Sequence, residues 1–283
     1  MSLTRPSDIS GQQVDKWSMI LTKELRETLL LGELVSKDYD GAIGDTGDTV
    51  YVSQINAPTG ENRTVGTDSD SFGTEQLSTT RVSVQANKRA VAAYEFEDLT
   101  FLQSQFDMEN SELRQSLVFA MSKQINDYLY SLVAPSTSTP DHEIASVTDF
   151  NASELSAARV LAGEAKWMRN KPWYGLLSPQ YYADVIDDTT LASADYGAND
   201  APLIAGQLAL PRMGFNLFED TSRSGDYGLL FHPDFMLMVS QYQVRLKISD
   251  QHANKRFGFI MSADMVYGAN LGIDGNVKHI RVQ

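Results

Sequence analysis

The sequence predicts an α+β fold, and three observations carry that prediction. Two runs, at 81–86 and 243–248, alternate strictly between polar and apolar residues, as strands with one buried face do. One long amphipathic stripe at about 108–133 marks a helix. Between the first strand signals lies a polar excursion, residues 56–80, longer than a compact domain uses without a functional reason. The 283 residues, 42% hydrophobic and 21% charged, suffice for one large domain or two modest ones.

The elements follow in order. In residues 14–34, Val14, Trp17, Leu21, Leu25 and Leu29 recur at three- and four-residue spacing, with Lys16, Lys23, Glu24 and Glu27 between them. That is a helix whose single apolar face needs a surface to dock on. Gly32 and Asp38-Tyr39-Asp40-Gly41 punctuate its end. Gly41 to Asp48 is turn-rich and launches a strand, Thr49-Val50-Tyr51-Val52. Residues 56–80 place Pro58, Gly60, Gly66 and Gly73 among Thr, Ser, Asp and Glu, which reads as a loop. The return arm, Arg81 to Ala86, puts Val82, Val84 and Ala86 on one face. Ala92, Tyr94 and Phe96 repeat the alternation and carry the arm into a core sheet. A hairpin with so long a polar tip has no core of its own, so it must lie on its own body, a ligand or another copy of the chain.

The long helix aligns Leu113, Leu117, Val118, Met121, Ile125, Tyr128, Leu129 and Leu132, with Asp107 as N-cap and Pro135 as stop. It spans about 40 Å at 1.5 Å per residue. After a Ser/Thr/Pro connector at 135–140, a second helix starts near Asn151, with Glu154 in the capping-box position, and runs to about Trp167. Trp173 to Leu177 is a buried strand, and Ser178-Pro179 opens a short helix. Residues 187–201 form a loop, and 204–218 alternate turns and short strands. Leu229–Phe231 and Phe235–Val239 are strands. Residues 243–248 and 256–261 form a hairpin around a polar tip, 249–255. Gly272 to Gly275 turns into a last strand ending at Val282.

Composition narrows the function. Lys and Arg total 23 against 37 Asp and Glu, a net charge of −14. That balance argues against sequence-specific nucleic-acid binding, which needs clustered cations. Without cysteine there is no disulfide, thiolate nucleophile or Cys-based metal site. The start lacks a signal pattern, and no apolar run approaches the roughly 20 residues of a membrane helix. The expectation is a product that is cytosolic at synthesis, with no membrane partner.

Chemical motifs are scarce. His142, His232, His252 and His279 are scattered, and no nucleophile elbow or phosphate loop appears. His232-Pro233-Asp234 could pair an imidazole with a carboxylate, but beside a proline between strands it reads better as structural. Asp68 to Thr79 imitates a calcium loop yet has Phe72 at position five and Thr79 at position twelve. No catalytic, cofactor or metal residue is assigned, and the expectation is a protein that is not an enzyme.

The order of elements resembles the major capsid (coat) proteins of tailed bacteriophages, which share the Hong Kong 97-like fold. Several stretches carry the resemblance. Trp17 and the following leucines resemble the N-arm helix, and Gly47-Asp48-Thr49-Val50 the entry to the extended E-loop. Lys88 to Asp98 resembles the return into the P-domain, and Asp107 to Leu132, including Gln124-Ile125-Asn126-Asp127, the spine helix. Leu177-Ser178-Pro179-Gln180-Tyr181, Gly206-Gln207-Leu208 and Gly214-Phe215 resemble the A-domain core. His232-Pro233, Gln241 to Lys247 and Tyr267-Gly268 resemble the closing P-domain strands. The resemblance implies an N-terminal arm at 1–46, an E-loop at 47–87, a P-domain with spine helix at 88–145, an A-domain at 146–231, and closing strands at 232–283. It implies pentamers and hexamers of an icosahedral shell around double-stranded DNA, assembled in the host cytoplasm. A separate scaffolding protein, a portal and decoration proteins are the further partners it implies. Contacts between copies are expected at Trp17, Phe72, Leu77, Arg81, Asp250, Gln251 and Lys255. The rival readings are an encapsulin-like compartment shell, a soluble α+β enzyme using His232 and Asp234, and a decoration or tail component.

Overall fold

Among the described residues, strand alternation builds three sheets. The computed structural model describes residues 29–39, 43, 49–66, 73–98, 111–135, 137, 142–192, 211–241 and 244–283. The first sheet is a hairpin of β1 (Thr49–Ile55) and β2 (Thr79–Gln85), paired antiparallel from Thr49↔Gln85 to Ile55↔Thr79. In the second, β10 (Gly258–Leu271) pairs along one edge with β3 (Lys88–Glu97). Its other edge pairs with β9 (Arg245–Asp250) and then β8 (Met236–Ser240). The third sheet has the order β4-β11-β7-β5-β6. Its strands are β4 (His142–Ile144), β5 (Trp173–Leu177), β6 (Phe215–Glu219), β7 (Gly228–Phe231) and β11 (His279–Val282). β4 and β11 enter this sheet from opposite sides of residues 146–231, so sheet membership does not follow chain order.

The long helix, α2 (Ser111–Leu132), packs Leu117, Met121, Ile125 and Leu129 onto the second sheet, against Ala90, Met261, Ala263 and Tyr267. Those four recur every fourth residue, so one face meets the sheet. The helix stops at Leu132, before Pro135; the expected cap, Asp107, lies outside the described residues. Of the predicted helix at 14–34, the described part is α1 (Leu31–Leu34), with Leu31 fully buried. Gly32 sits inside α1 rather than at its end, and Val35 turns extended at φ −73°, ψ 154°.

The third sheet carries α3 (Ala152–Glu164), α4 (Pro179–Asp187) and α5 (Thr189–Ala192). The capping box is present as read: Asn151 Oδ1 accepts from Ser153 N at 2.8 Å, and Glu154 accepts from Asn151 N at 3.3 Å. α3 ends at Glu164, short of Trp167, because Lys166 takes a left-handed φ of 56° and Trp167 N folds back to Ala162 O. Trp167 then packs edge-on against Trp173. Residues 187–201 are not all loop: Asp188 caps α5 through Thr190 N at 2.7 Å. Phe235 belongs to a tight turn, Pro233–Phe235, and β8 begins one residue later.

Among the described residues, the hairpin β1–β2 is seated at its base. Val84 and Ala86 are buried with Leu237 and Val239, and Val50, Val52 and Val266 pack around them. Asn270 donates to Ser83 O at 2.9 Å across this seat. Gly268 makes the crossing possible. A Cβ there would overlap Gln85 O, and would stand 2.6 Å from Gln85 C and 2.9 Å from Ala86 Cα.

Candidate assembly surfaces

Beyond its base the first hairpin leaves the body. Every described residue from Ser53 to Gly66 and from Gly73 to Arg81 is exposed. Its two arms are tied to each other instead. Asn56 N donates to Ser78 O at 3.0 Å, Thr80 Oγ1 to Asn56 Oδ1 at 3.0 Å, and Thr59 N to Glu75 Oε2 at 3.0 Å. The Thr59 amide holds the Glu75 carboxyl below the ordinary carboxylate range. Apolar side chains nonetheless point outward: Val65 is wholly exposed and Leu77 76% exposed. Tyr51 is also exposed, and the Arg81 guanidinium lies 4.6 Å over its ring.

The second projecting hairpin joins β9 to β10. Asp250 Oδ1 accepts from His252 N at 2.9 Å, and Lys255 closes the turn with a left-handed φ of 58°. Gln251 is buried in its own turn, its backbone N donating to Gly258 O at 2.9 Å. Phe257 at the tip is 76% exposed, and Arg256 pairs with Glu95 at 3.0 Å. Along β9, Leu246 and Ile248 are about half exposed although their register partners, Ala263 and Met261, are buried. Behind them Arg89 and Arg245 converge on the buried carboxylate of Asp264, at 2.7 and 2.9 Å.

Of the predicted contact residues, Leu77 and Arg81 therefore share one arm, and Asp250, Gln251 and Lys255 share the other hairpin. Trp17 and Phe72 lie outside the described residues. Sequence reasoning passed over Tyr51, Val65, Leu246, Ile248 and Phe257. Alternation marks Leu246 and Ile248 as one face of a strand, but not that the face lacks a cover. Val65 and Phe257 were legible as apolar residues in polar turns.

His232 and Asp234 serve local structure. His232 is 2% exposed, and its Nδ1 accepts from Asp234 N at 3.3 Å, capping the Pro233–Phe235 turn. Burial lowers the His232 pKa, partly opposed by the Asp234 carboxylate. Asp234 itself pairs with Lys171 at 2.8 Å. Among the described residues no group of three His, Asp or Glu side chains could hold a metal ion. No described helix is long and apolar enough to cross a membrane.

Neither a scan against protein-family models nor a search of curated proteins finds a match. Solved structures do match, over nearly the whole length of both chains. A structure from Mycobacterium phage Che8 is 18% identical with a TM-score of 0.75, covering 96% of this chain and 97% of that one. The capsid structure of cyanophage P-SCSP1u is 13% identical with a TM-score of 0.73, covering 96% and 93%. The capsid asymmetric unit of cyanophage Pam1 is 13% identical with a TM-score of 0.71, covering 99% and 97%. The chain has the fold of these phage structures, two of which are capsids, as expected from the order of its elements.

Proposed function

We propose that the chain is the major capsid protein of a tailed bacteriophage, which self-assembles into the icosahedral shell enclosing packaged double-stranded DNA. The observation that carries this reading is end-to-end agreement with phage capsid structures, with no large part of either chain left over. The surfaces support it independently. A 23-residue described tip at 53–66 and 73–81 would be costly to order alone, and gains order by lying on a neighbour. Many modest heterologous contacts closed by symmetry then give a stable shell.

In this reading residues 1–46 are the N-terminal arm, 47–87 the E-loop, 88–145 the P-domain with α2 as spine, 146–231 the A-domain, and 232–283 the closing strands. Pentamers and hexamers are formed by copies of the chain, in the host cytoplasm and then in the virion. A scaffolding protein, a portal and decoration proteins complete the assembly. Leu77, Arg81, Asp250 and Lys255 touch neighbouring copies, as do Trp17 and Phe72, while Gln251 stiffens its hairpin from inside. The role is structural and not enzymatic.

Deletion of residues 58–78 tests the arm. Its loss leaves the seat at Val84 and Ala86 intact, so the variant should fold as a monomer with unchanged circular dichroism and form no shells. Normal particles from it would refute the arm assignment.

A further inference from the structure

β3 is an outer strand of the second sheet. Its residues from Lys88 to Glu97 all pair with β10 on one side, and among the described residues no strand pairs on the other. One rung of that outer edge is filled by a side chain. Gln124 of α2 accepts from Val91 N at 3.4 Å and donates through Nε2 to Val91 O at 3.1 Å. A primary amide holds an acceptor and a donor side by side, so it makes the two bonds that a residue of a neighbouring strand would make. Two further contacts lay the helix along the strand. The Tyr94 hydroxyl meets Ser116 Oγ at 2.9 Å, and Lys88 Nζ lies 5.4 Å from the centre of the Tyr128 ring. Ser116, Gln124 and Tyr128 are spaced by multiples of four and form one line on α2.

The place of that rung is informative. Val91 turns its backbone outward, so by the period of two Arg89, Ala93 and Glu95 do as well. Charge guards both ends of the strand, Lys88 and Arg89 at one and Glu95 and Glu97 at the other. Between them Ala90-Val91-Ala92-Ala93-Tyr94 carries none, and Val91 and Tyr94 are exposed. A neutral, open strand edge is a template for another strand, and charge is a common protection. Gln124 stands where the charges are missing. The edge is also complementary to itself. An antiparallel pairing of two copies centred on Ala92 sets Val91 opposite Ala93, so that outward-facing groups meet. The same register sets Arg89 opposite Glu95, twice by symmetry. Within one chain these two pair with Asp264 and Arg256, yet each side chain is more than half exposed and can reach an added strand.

We propose that the outer edge of β3 fits the β3 edge of a second copy, and that Gln124 keeps it closed in the single chain by occupying the Val91 rung. Loss of the side-chain amide opens the rung, and two copies then pair edge to edge. The inference concerns the free chain and does not rest on the shell reading.

Gln124→Met tests this, because methionine keeps the length and helix propensity of glutamine and loses its amide. The full-length parent and variant are compared by sedimentation velocity and by hydrogen exchange with mass spectrometry across 88–97. At a dilution where both sediment as single chains, the Val91 amide of the variant should exchange about tenfold faster. At a higher, equal concentration the variant should show a dimer fraction about fivefold above the parent's, with protection of 89–95 restored. Adding Glu95→Arg sets Arg89 opposite a second arginine and should return the dimer fraction to the parent's level. Gln124 is exposed, and Gln124→Ala gives the same readings if the methionine variant does not fold. Unchanged exchange at Val91, faster exchange with no added dimer, or a dimer that survives Glu95→Arg would each overturn the proposal.

Discussion

Gly268→Ala tests how the projecting hairpin is held. Gly268 lies near the C-terminal end of β10, at the point where the end of β2 crosses it, paired with Val239 of β8. A methyl group there would stand 2.6 Å from Gln85 C and 2.9 Å from Ala86 Cα, both backbone atoms, where ordinary contact begins near 3.4 Å. One of the two strands must therefore move by at least 3.4 − 2.6 = 0.8 Å. β10 pairs there with β8 and, up to Tyr267, with β3, whereas β2 belongs to a two-stranded sheet with β1, so β2 is the strand that gives. Overpacking of this kind costs about 1–3 kcal/mol, and lifting Val84 and Ala86 from Leu237 and Val239 adds to it. A loss of about 2 kcal/mol would lower a urea midpoint by about 0.7 M for an m-value near 3 kcal/mol/M. Hydrogen exchange should show faster exchange at 82–86 and in the Asn270–Ser83 contact, with α3 and α4 unchanged. Particle yield should fall more steeply than stability, because the arm would leave the body at a changed angle. An unchanged midpoint together with unchanged exchange at 82–86 would refute the reasoning.

Three further substitutions probe the body. Leu129→Ala removes a fully buried side chain between α2 and the second sheet and should cost about 2–5 kcal/mol, read by urea denaturation. Asn151→Ala breaks the capping box of α3 and should cost about 1 kcal/mol, with Asn151→Asp losing little by the same assay. Tyr130→Phe removes the hydroxyl that donates to the buried carboxylate of Asp220, and should cost about 1–3 kcal/mol. The pH dependence of stability has a His232 component. Its pKa is held below 6.5 by burial, so the folded state resists a proton that the unfolded state accepts. That contribution is complete above pH 6.5 and is lost as pH falls toward the folded pKa. The urea midpoint of His232→Asn should therefore fall less between pH 7 and pH 5 than that of the parent.

Sequence alone went far where the signal was local and periodic. The alternation of Arg81 to Ala86 gave the seated face of β2, and the four-residue recurrence from Leu117 to Leu129 gave the buried face of α2. Asn151 and Glu154 announced a capping box because both partners lie within one turn. Non-local facts were hidden. Nothing in His142-Glu143-Ile144 or His279 to Val282 says that these strands pair in parallel at the edge of a sheet built mostly from residues between them. Lys166 gave no hint of its left-handed φ, since lysine has no preference for it, and α3 was read too long. The exposed apolar residues of β9 were invisible for the same reason: exposure depends on what covers a face, and periodicity reports only that there is one.

Electron microscopy of the full-length chain, purified from its native source, tests the central claim most directly. The account predicts closed icosahedral shells filled with double-stranded DNA. A discrete monomer or small oligomer would contradict it, as would small shells holding protein cargo and no DNA.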